Sequence, residues 1–221
     1  MPLIDIQHLT WWYKKQQPLF NDFSFSLEEK DFCFVMGRSG VGKTTLVKFL
    51  MRQLVPPLRT VFHGKDDIAR YSDAEVQKYR RRIGVVFQDF KLVDWKNVKQ
   101  NLSYPLRIRD TGRWKTSWSI SERVTKMMHL LWLEQHSKQA TPALSWWEKQ
   151  RVAIGRALIN EPEFVIADEP TGNLDRESSK NIADILIESN KLWNTIVFIT
   201  HDQQLVDYVS AKHAVKVVQI D

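Results

Sequence analysis

Glycine is scarce in this chain, with 8 in 221 residues where average usage of about 7% predicts roughly 15. Cysteine is nearly absent. The lone Cys33 lies inside the apolar run "FCFVM", which excludes an internal disulfide framework and points to a buried structural thiol. No apolar run approaches the ~18 residues of a membrane span. The opening "MPLIDIQHLT" lacks the basic and apolar blocks of a signal peptide. These absences predict a cytoplasmic protein whose membrane contact runs through a partner. The net charge of +6 decides little: it suits an acidic membrane surface, a nucleic acid or an ordinary basic exterior. Against these deficits stands one excess, 9 tryptophans, normally among the rarest residues.

With 43% hydrophobic residues, the length suits one α/β unit with room for an inserted subdomain. "DFCFVM" reads as a buried strand running into a glycine turn, and "TTLVKFLMRQL" as the helix after it, stopping at Pro56-Pro57. "SDAE" (Ser72–Glu75) and "SISE" (Ser119–Glu122) are capping-box patterns that open helices. "IGVVFQ", "EFVIAD" and "TIVFIT" read as further buried strands, the last two separated by the helix "SSKNIADILIESNKL". Strands alternating with helices imply a mainly parallel sheet covered on both faces. From about Asp89 to Glu161 no convincing strand is visible, and that stretch reads as a helical insertion.

"GRSGVGKT" fits G-x-x-x-x-G-K-[ST] between a strand and a helix, the context that gives the pattern meaning. The loop of Gly37, Arg38, Ser39, Gly40, Val41, Gly42, Lys43 and Thr44, with Thr45 beyond it, is the expected nucleotide cradle. Its glycines let backbone N–H groups turn toward phosphates, and the helix dipole supports the anion. Lys43 would reach the β- and γ-phosphates and Thr44 would coordinate Mg²⁺. The apolar strand in "EFVIADEP" delivers Asp168 to its carboxyl end, where ligands gather in such sheets. Asp168 is expected to hold Mg²⁺ and Glu169 to polarise the attacking water. His201, after "FIT", would touch the γ-phosphate, and Gln88, after "GVVF", would position water or metal. Tyr13 is a candidate to stack on the adenine, beside the bland reading of an exposed aromatic.

The order "GRSGVGKT", "FQD", "ALSWWEKQRVAIGRAL", "VIADEPTGNLD", "THD" resembles the nucleotide-binding subunit of ABC transporters over essentially the whole chain. "VFQDFKLV" and "DEPTGNLD" are similar to the cell-division branch of that family, the FtsE type, whose partner is the membrane protein FtsX. Lipoprotein-release and macrolide-export ATPases share "DEPTGNLD". The resemblance implies a P-loop, RecA-like core over residues 1–88 and 162–221 and a helical subdomain over 89–161. It implies ATP and Mg²⁺ as cofactors and a head-to-tail homodimer that sandwiches ATP, located peripherally on the inner face of the cell membrane. It places Ser145, Trp146, Trp147, Glu148 and Asp175 among the nucleotide-binding residues, facing the partner subunit's ATP. Alternatives are a soluble ABC ATPase acting on nucleic acid or ribosomes, the less favoured partner class, and a non-hydrolysing ATP-dependent module.

The chain departs from the family's "LSGGQ"-type signature at Trp146 and Trp147, where glycines normally let phosphate approach the backbone. Other tryptophans also stand where glycine is the physically expected residue. Trp132 and Trp193 follow apolar helices at the left-handed stop position. Trp95 follows Asp94 in a turn pattern, and Trp114 and Trp118 lie in a polar loop. Trp11 and Trp12 carry no such signal. The glycines and tryptophans together come close to the ~15 glycines of average usage. The expectation is that the gene reads UGA as glycine, as some bacterial lineages do; the rival reading is a divergent ATPase with genuine tryptophans.

Overall fold

A computed structural model describes residues 1–12, 18–38, 40–109, 119–192 and 194–220. Tyr13, Ser39, Trp114, Trp118 and Trp193 lie outside the described residues.

The chain opens with β1 (Ile4–Trp11) and β2 (Phe20–Leu27), paired antiparallel, and continues into β3 (Phe32–Met36) and α1 (Lys43–Leu50). Two short strands, β4 (Val61–His63) and β5 (Asp66–Asp67), precede α2 (Asp73–Arg80) and β6 (Ile83–Val86). Then come α3 (Val98–Arg109), α4 (Ile120–Leu130) and α5 (Trp146–Leu158). The chain ends with β7 (Phe164–Asp168), α6 (Arg176–Lys191), β8 (Thr195–Thr200), α7 (Gln203–Ser210) and β9 (Lys216–Gln219).

Five strands form a parallel sheet in the order β6-β7-β8-β3-β9. β3 and β8 lie at its centre and are buried at every position, because helices cover both faces and neither side meets water. Alternate residues serve different cores. Phe32, Phe34 and Met36 face the cluster shared with α5 and α6, while Cys33 and Val35 face the cluster with α1 and β1. Cys33 is fully enclosed, and burial pushes its thiol up to about 12, so it stays protonated and inert.

A second sheet, antiparallel in the order β2-β1-β4-β5, is separate from the parallel one in its hydrogen bonding but shares a core cluster with it. It was not among the expected elements. A period-2 pattern is nonetheless in the sequence: Ile4 and Ile6 are buried in β1, and Phe25 and Leu27 in β2, while Leu9 returns to the core after a register shift past Ile6. Between β6 and β7 the described residues contain helices and short turns and no strand, apart from a single bridge between Asn97 and Ala140.

Local signals decide where the helices begin and end. Ser72 with Glu75, and Ser119 with Glu122, form complete capping boxes at α2 and α4. α4 stops at a Schellman turn: the Leu133 N–H donates to Met128 O at 2.8 Å and the Trp132 N–H to His129 O at 3.1 Å. Trp132 sits in that turn at φ 51°, as the glycine-like stop position predicts. Trp95 differs from its expectation. It occupies a turn closed by Lys96 N–H to Val93 O, but its backbone is not left-handed, so the turn itself does not demand glycine. Among the described residues no helix is long and apolar enough to cross a membrane.

Candidate nucleotide site

The carboxyl ends of β3, β6, β7 and β8 open onto one cavity of about 700 Å³. It is lined by Leu19, Arg38, Gly40, Gly42, Lys43, Thr44, Thr45, Gln88, Asp168, Glu169, Gly172 and His201. Most residues singled out from the sequence for phosphate and metal chemistry therefore converge here, although they come from four separate segments.

The turn between β3 and α1 explains its own glycines. Gly40 and Gly42 have φ of 84° and 119°, a region that costs other residues dearly. At Gly37 the need is space: a Cβ there would stand 2.6 Å from Val41 Cγ1 and 2.7 Å from Ile220 O. Gly42 ends the loop as the N-cap of α1 without a side-chain cap, which leaves the first N–H groups of the helix open to an anion.

Lys43 is buried, and its ammonium donates to Gly37 O at 2.6 Å and lies 3.2 Å from Glu169 Oε1. Glu169 also meets His201, whose Nδ1 is 3.0 and 3.1 Å from the two carboxylate oxygens. Glu169 itself takes φ 46°, a left-handed conformation held by its N–H donating to Ile199 O at 3.0 Å and its carbonyl accepting from Gly172 N. Strain of this kind persists where the surroundings over-determine it, and here it aims a carboxylate into a cavity. Next to it, burial pushes the Asp168 carboxyl above the usual carboxylate range; the Glu169 carboxylate adds to this and Lys43 opposes it. A cation in the cavity would relieve that penalty.

The signature segment lies elsewhere. Ser145 caps α5, its hydroxyl accepting from the Glu148 N–H, and the Glu148 carboxylate returns to the Ser145 N–H at 2.8 Å. Trp146 and Trp147 are ordinary first-turn residues without positive φ. Both rings have partners: Trp146 packs on Phe90 at 5.1 Å between centroids, and Trp147 lies under the Arg151 guanidinium at 5.0 Å. Trp146 lines a second pocket of about 360 Å³ with Phe90, Leu92, Thr141 and Lys149 among others. Asp175 caps α6 through Glu177 N and Ser178 N and does not reach the 700 Å³ cavity. Within one subunit, then, Ser145, Trp146, Trp147, Glu148 and Asp175 do not join the phosphate residues. Leu19 and Gly172 line the cavity unforeseen; Gly172 was visible in "PTGNLD", whereas nothing in the sequence marks Leu19.

The sequence profile of the ABC transporter family matches residues 20–172. The chain is 34% identical to the cell-division ATP-binding protein FtsE of Mycobacterium tuberculosis, covering 93% of this chain and 88% of that one. It is 35% identical to a methionine import ATP-binding protein MetN of Enterococcus faecalis, covering 96% of this chain and 60% of that one. The fold superposes on a dimeric ATP-binding cassette captured after hydrolysis with ADP and phosphate. The TM-score there is 0.84 at 26% identity, covering 99% of this chain and 94% of the other.

Proposed function

Because this chain belongs to the ATP-binding subunits of ABC transporters and is an ATPase of that family, we propose that it drives an FtsE–FtsX-like complex in cell division. It would work at the inner face of the cell membrane, coupling ATP-dependent dimerisation to an integral membrane partner. The observation that carries the chemistry is the convergence of Lys43, Thr44, Gln88, Asp168, Glu169 and His201 on one cavity beside an uncapped helix start.

In this reading the Gly37–Thr45 loop holds the phosphates through its N–H groups, and Lys43 leaves Glu169 for the γ-phosphate. Glu169 then orients water for in-line attack, His201 holds Glu169 and the γ-phosphate end, and Gln88 reaches in from the end of β6. Asp168, Thr44 and Gln88 would hold Mg²⁺. One carboxylate with neutral oxygens, leaving room for water and phosphate, is the donor set that ion prefers. When bound, Mg²⁺ neutralises charge developing on the phosphates.

Two chains would pair head to tail, so that Ser145 and the first turn of α5 close on the partner's ATP, with residues 1–88 and 162–221 as the core and 89–161 as the helical subdomain. Glycine at 146 and 147 would let that helix start approach phosphate, and we take UGA-encoded glycine as the source of the tryptophans. A non-hydrolysing module with genuine tryptophans has one observation in its favour: both rings are packed in the structure. ATP-dependent co-purification with a small integral membrane protein tests the main reading. Recovery with ribosomes or nucleic acid alone would assign the chain to the soluble alternative.

A further inference from the structure

Two residues past Gln88 the backbone does something unusual. Phe90 and Lys91, neither of them glycine, stand consecutively in the left-handed region at φ 59° and 50°. Such residues occur singly by habit and rarely as a bulky pair. Gln88 lines the 700 Å³ cavity, whereas Asp89, Phe90, Lys91 and Leu92 line the 360 Å³ pocket, so the chain leaves the cavity at the turn these two residues make.

Trp146 packs on the Phe90 ring, and the turn's backbone is held by hydrogen bonds from another residue of α5. The Arg156 guanidinium, on α5, donates through Nη2 to Phe90 O at 2.6 Å and through Nη1 to Lys91 O. The two carbonyls so held belong to the two left-handed residues. The Phe90 ring is buried in the core cluster shared with α5. Further on, Asn101 fixes the next stretch, accepting from Val93 N at 2.9 Å and donating to the carbonyls of Val93, Lys96 and Asn97. The segment is thus gripped at both ends, and its grip at the Gln88 end comes from the same helix that begins at Ser145.

We propose that Arg156 is a positioning residue for ATP hydrolysis: its fork on the Phe90 and Lys91 carbonyls holds the turn that presents Gln88 to the cavity. The inference rests on the ATPase reading of that cavity. The planar guanidinium presents two donors in a fixed fork that matches the two carbonyls, which the single nitrogen of lysine does not reproduce, so lysine is a poor replacement. Among the described residues Arg156 makes no hydrogen bond to the Gly37–Thr45 loop, so its loss should spare nucleotide binding and affect turnover.

The test compares Arg156→Gln, Arg156→Lys, Lys91→Gly and the double variant Arg156→Gln with Lys91→Gly. Each is made both in the chain as it stands and with glycine at 146 and 147. Readouts are Mg·ATP and Mg·ADP affinity by calorimetry, thermal midpoint, and kcat with KM for ATP. Arg156→Gln should bind both nucleotides within about twofold of its parent while kcat falls at least about tenfold, the scale of a slightly misplaced catalytic group. Lys91→Gly should restore much of that rate in the double variant, because glycine takes φ near 50° without help. Should Arg156→Gln fail to fold, Arg156→Lys is read by the same criteria. Parental turnover in the arginine variants overturns the proposal. So does a parallel loss of affinity, stability and rate that Lys91→Gly leaves uncorrected, since that describes a brace. A parent that binds no ATP overturns the underlying reading of the cavity instead.

Discussion

Lys43 Nζ lies 3.2 Å from Glu169 Oε1, so the loop's cation and the candidate water-orienting carboxylate are paired with each other when no phosphate stands between them. Both side chains are largely shielded, at 10% and 14% exposure, where an ion pair is screened little and matters to whatever must break it. In the proposed reaction an incoming γ-phosphate would compete with Glu169 for the lysine, and winning that competition would free the carboxylate to orient water beside the phosphate.

Lys43→Ala removes the charge that phosphate must capture. Calorimetric titration with Mg·ATP should show binding largely abolished and turnover lost with it. Replacement also leaves Glu169 beside Asp168 with no lysine between them, which should lower the thermal midpoint. Normal binding and hydrolysis in this variant would show that the Gly37–Thr45 loop is not the phosphate cradle.

Glu169→Gln keeps the shape and one hydrogen-bonding oxygen while removing the competing negative charge. Turnover should drop by at least about 10²-fold, the usual scale for losing a positioned acid–base group. ATP affinity should hold or rise, because Lys43 is no longer engaged by a carboxylate. Size-exclusion chromatography with ATP should show a larger dimer fraction in the glycine-146/147 form than in the chain as it stands. Weakened ATP binding with unchanged turnover would remove Glu169 from the reaction.

Much of this site was legible because its demands are local. Gly40 and Gly42 are spelled by the turn they make, Asp168 and Glu169 by the end of a buried strand, and His201 by the strand beside it. Arg156 was not legible. Its partners are backbone carbonyls 65 and 66 residues away, and a carbonyl leaves no mark on the sequence. The antiparallel sheet was half legible: Ile4 and Ile6 alternate with polar residues until an irregularity at Gln7-His8 displaces Leu9, and β4 and β5 are too short to show a period. The tryptophan reading fared differently at different positions. Trp132 has the left-handed backbone that its place after α4 predicts, while Trp146 and Trp147 have helical backbones, so any need for glycine there concerns approach and not conformation.

A second, partly exposed cluster predicts the acid limit of stability. Glu163 accepts from Arg82 Nε at 2.6 Å and lies 2.9 Å from His63 Nε2, joining the antiparallel sheet to the start of β7. Burial alone would raise its pKa, but the hydrogen bonds from His63 and Arg82, with their charges, outweigh it and hold the carboxyl below its ordinary 4.5. A carboxylate depressed in the folded state stabilises that state fully above the unfolded value. It loses the contribution as pH falls through the lower, folded one. Denaturation curves from pH 7 to pH 3 should therefore show Glu163→Gln less stable than its parent at neutral pH, with the gap closing below about pH 4.5. A gap that stays constant across that window would mean the ionised form is not what the cluster favours.

The tryptophans yield the last prediction, and the structure separates two effects that the sequence alone would merge. Trp132 is 63% exposed at φ 51°, so its ring contributes little burial while its backbone bears the left-handed penalty. Trp132→Gly removes that penalty, about 1–2 kcal/mol. Part is given back through the greater freedom of glycine in the unfolded chain, about 0.5–1 kcal/mol. A net gain near 1 kcal/mol should raise the thermal midpoint by about 2–4 °C and leave ATPase activity alone. Trp146→Gly with Trp147→Gly works in the opposite sense. It gives up the Phe90 and Arg151 ring contacts and adds glycine to a helix start, so the subunit should become slightly less stable. Yet in the proposed head-to-tail pair it would bare the first N–H groups of α5 to the partner's phosphate. Each preorganised donor of that kind is typically worth roughly 10²–10³ in rate, so hydrolysis should rise by at least about 10²-fold. Intact mass and peptide sequencing of the protein from its own cells would then read glycine at 132, 146 and 147. Tryptophan at all three, with equal ATPase rates in the two signature forms, would defeat the glycine reading and make the packed pair at 146 and 147 a feature of the working enzyme.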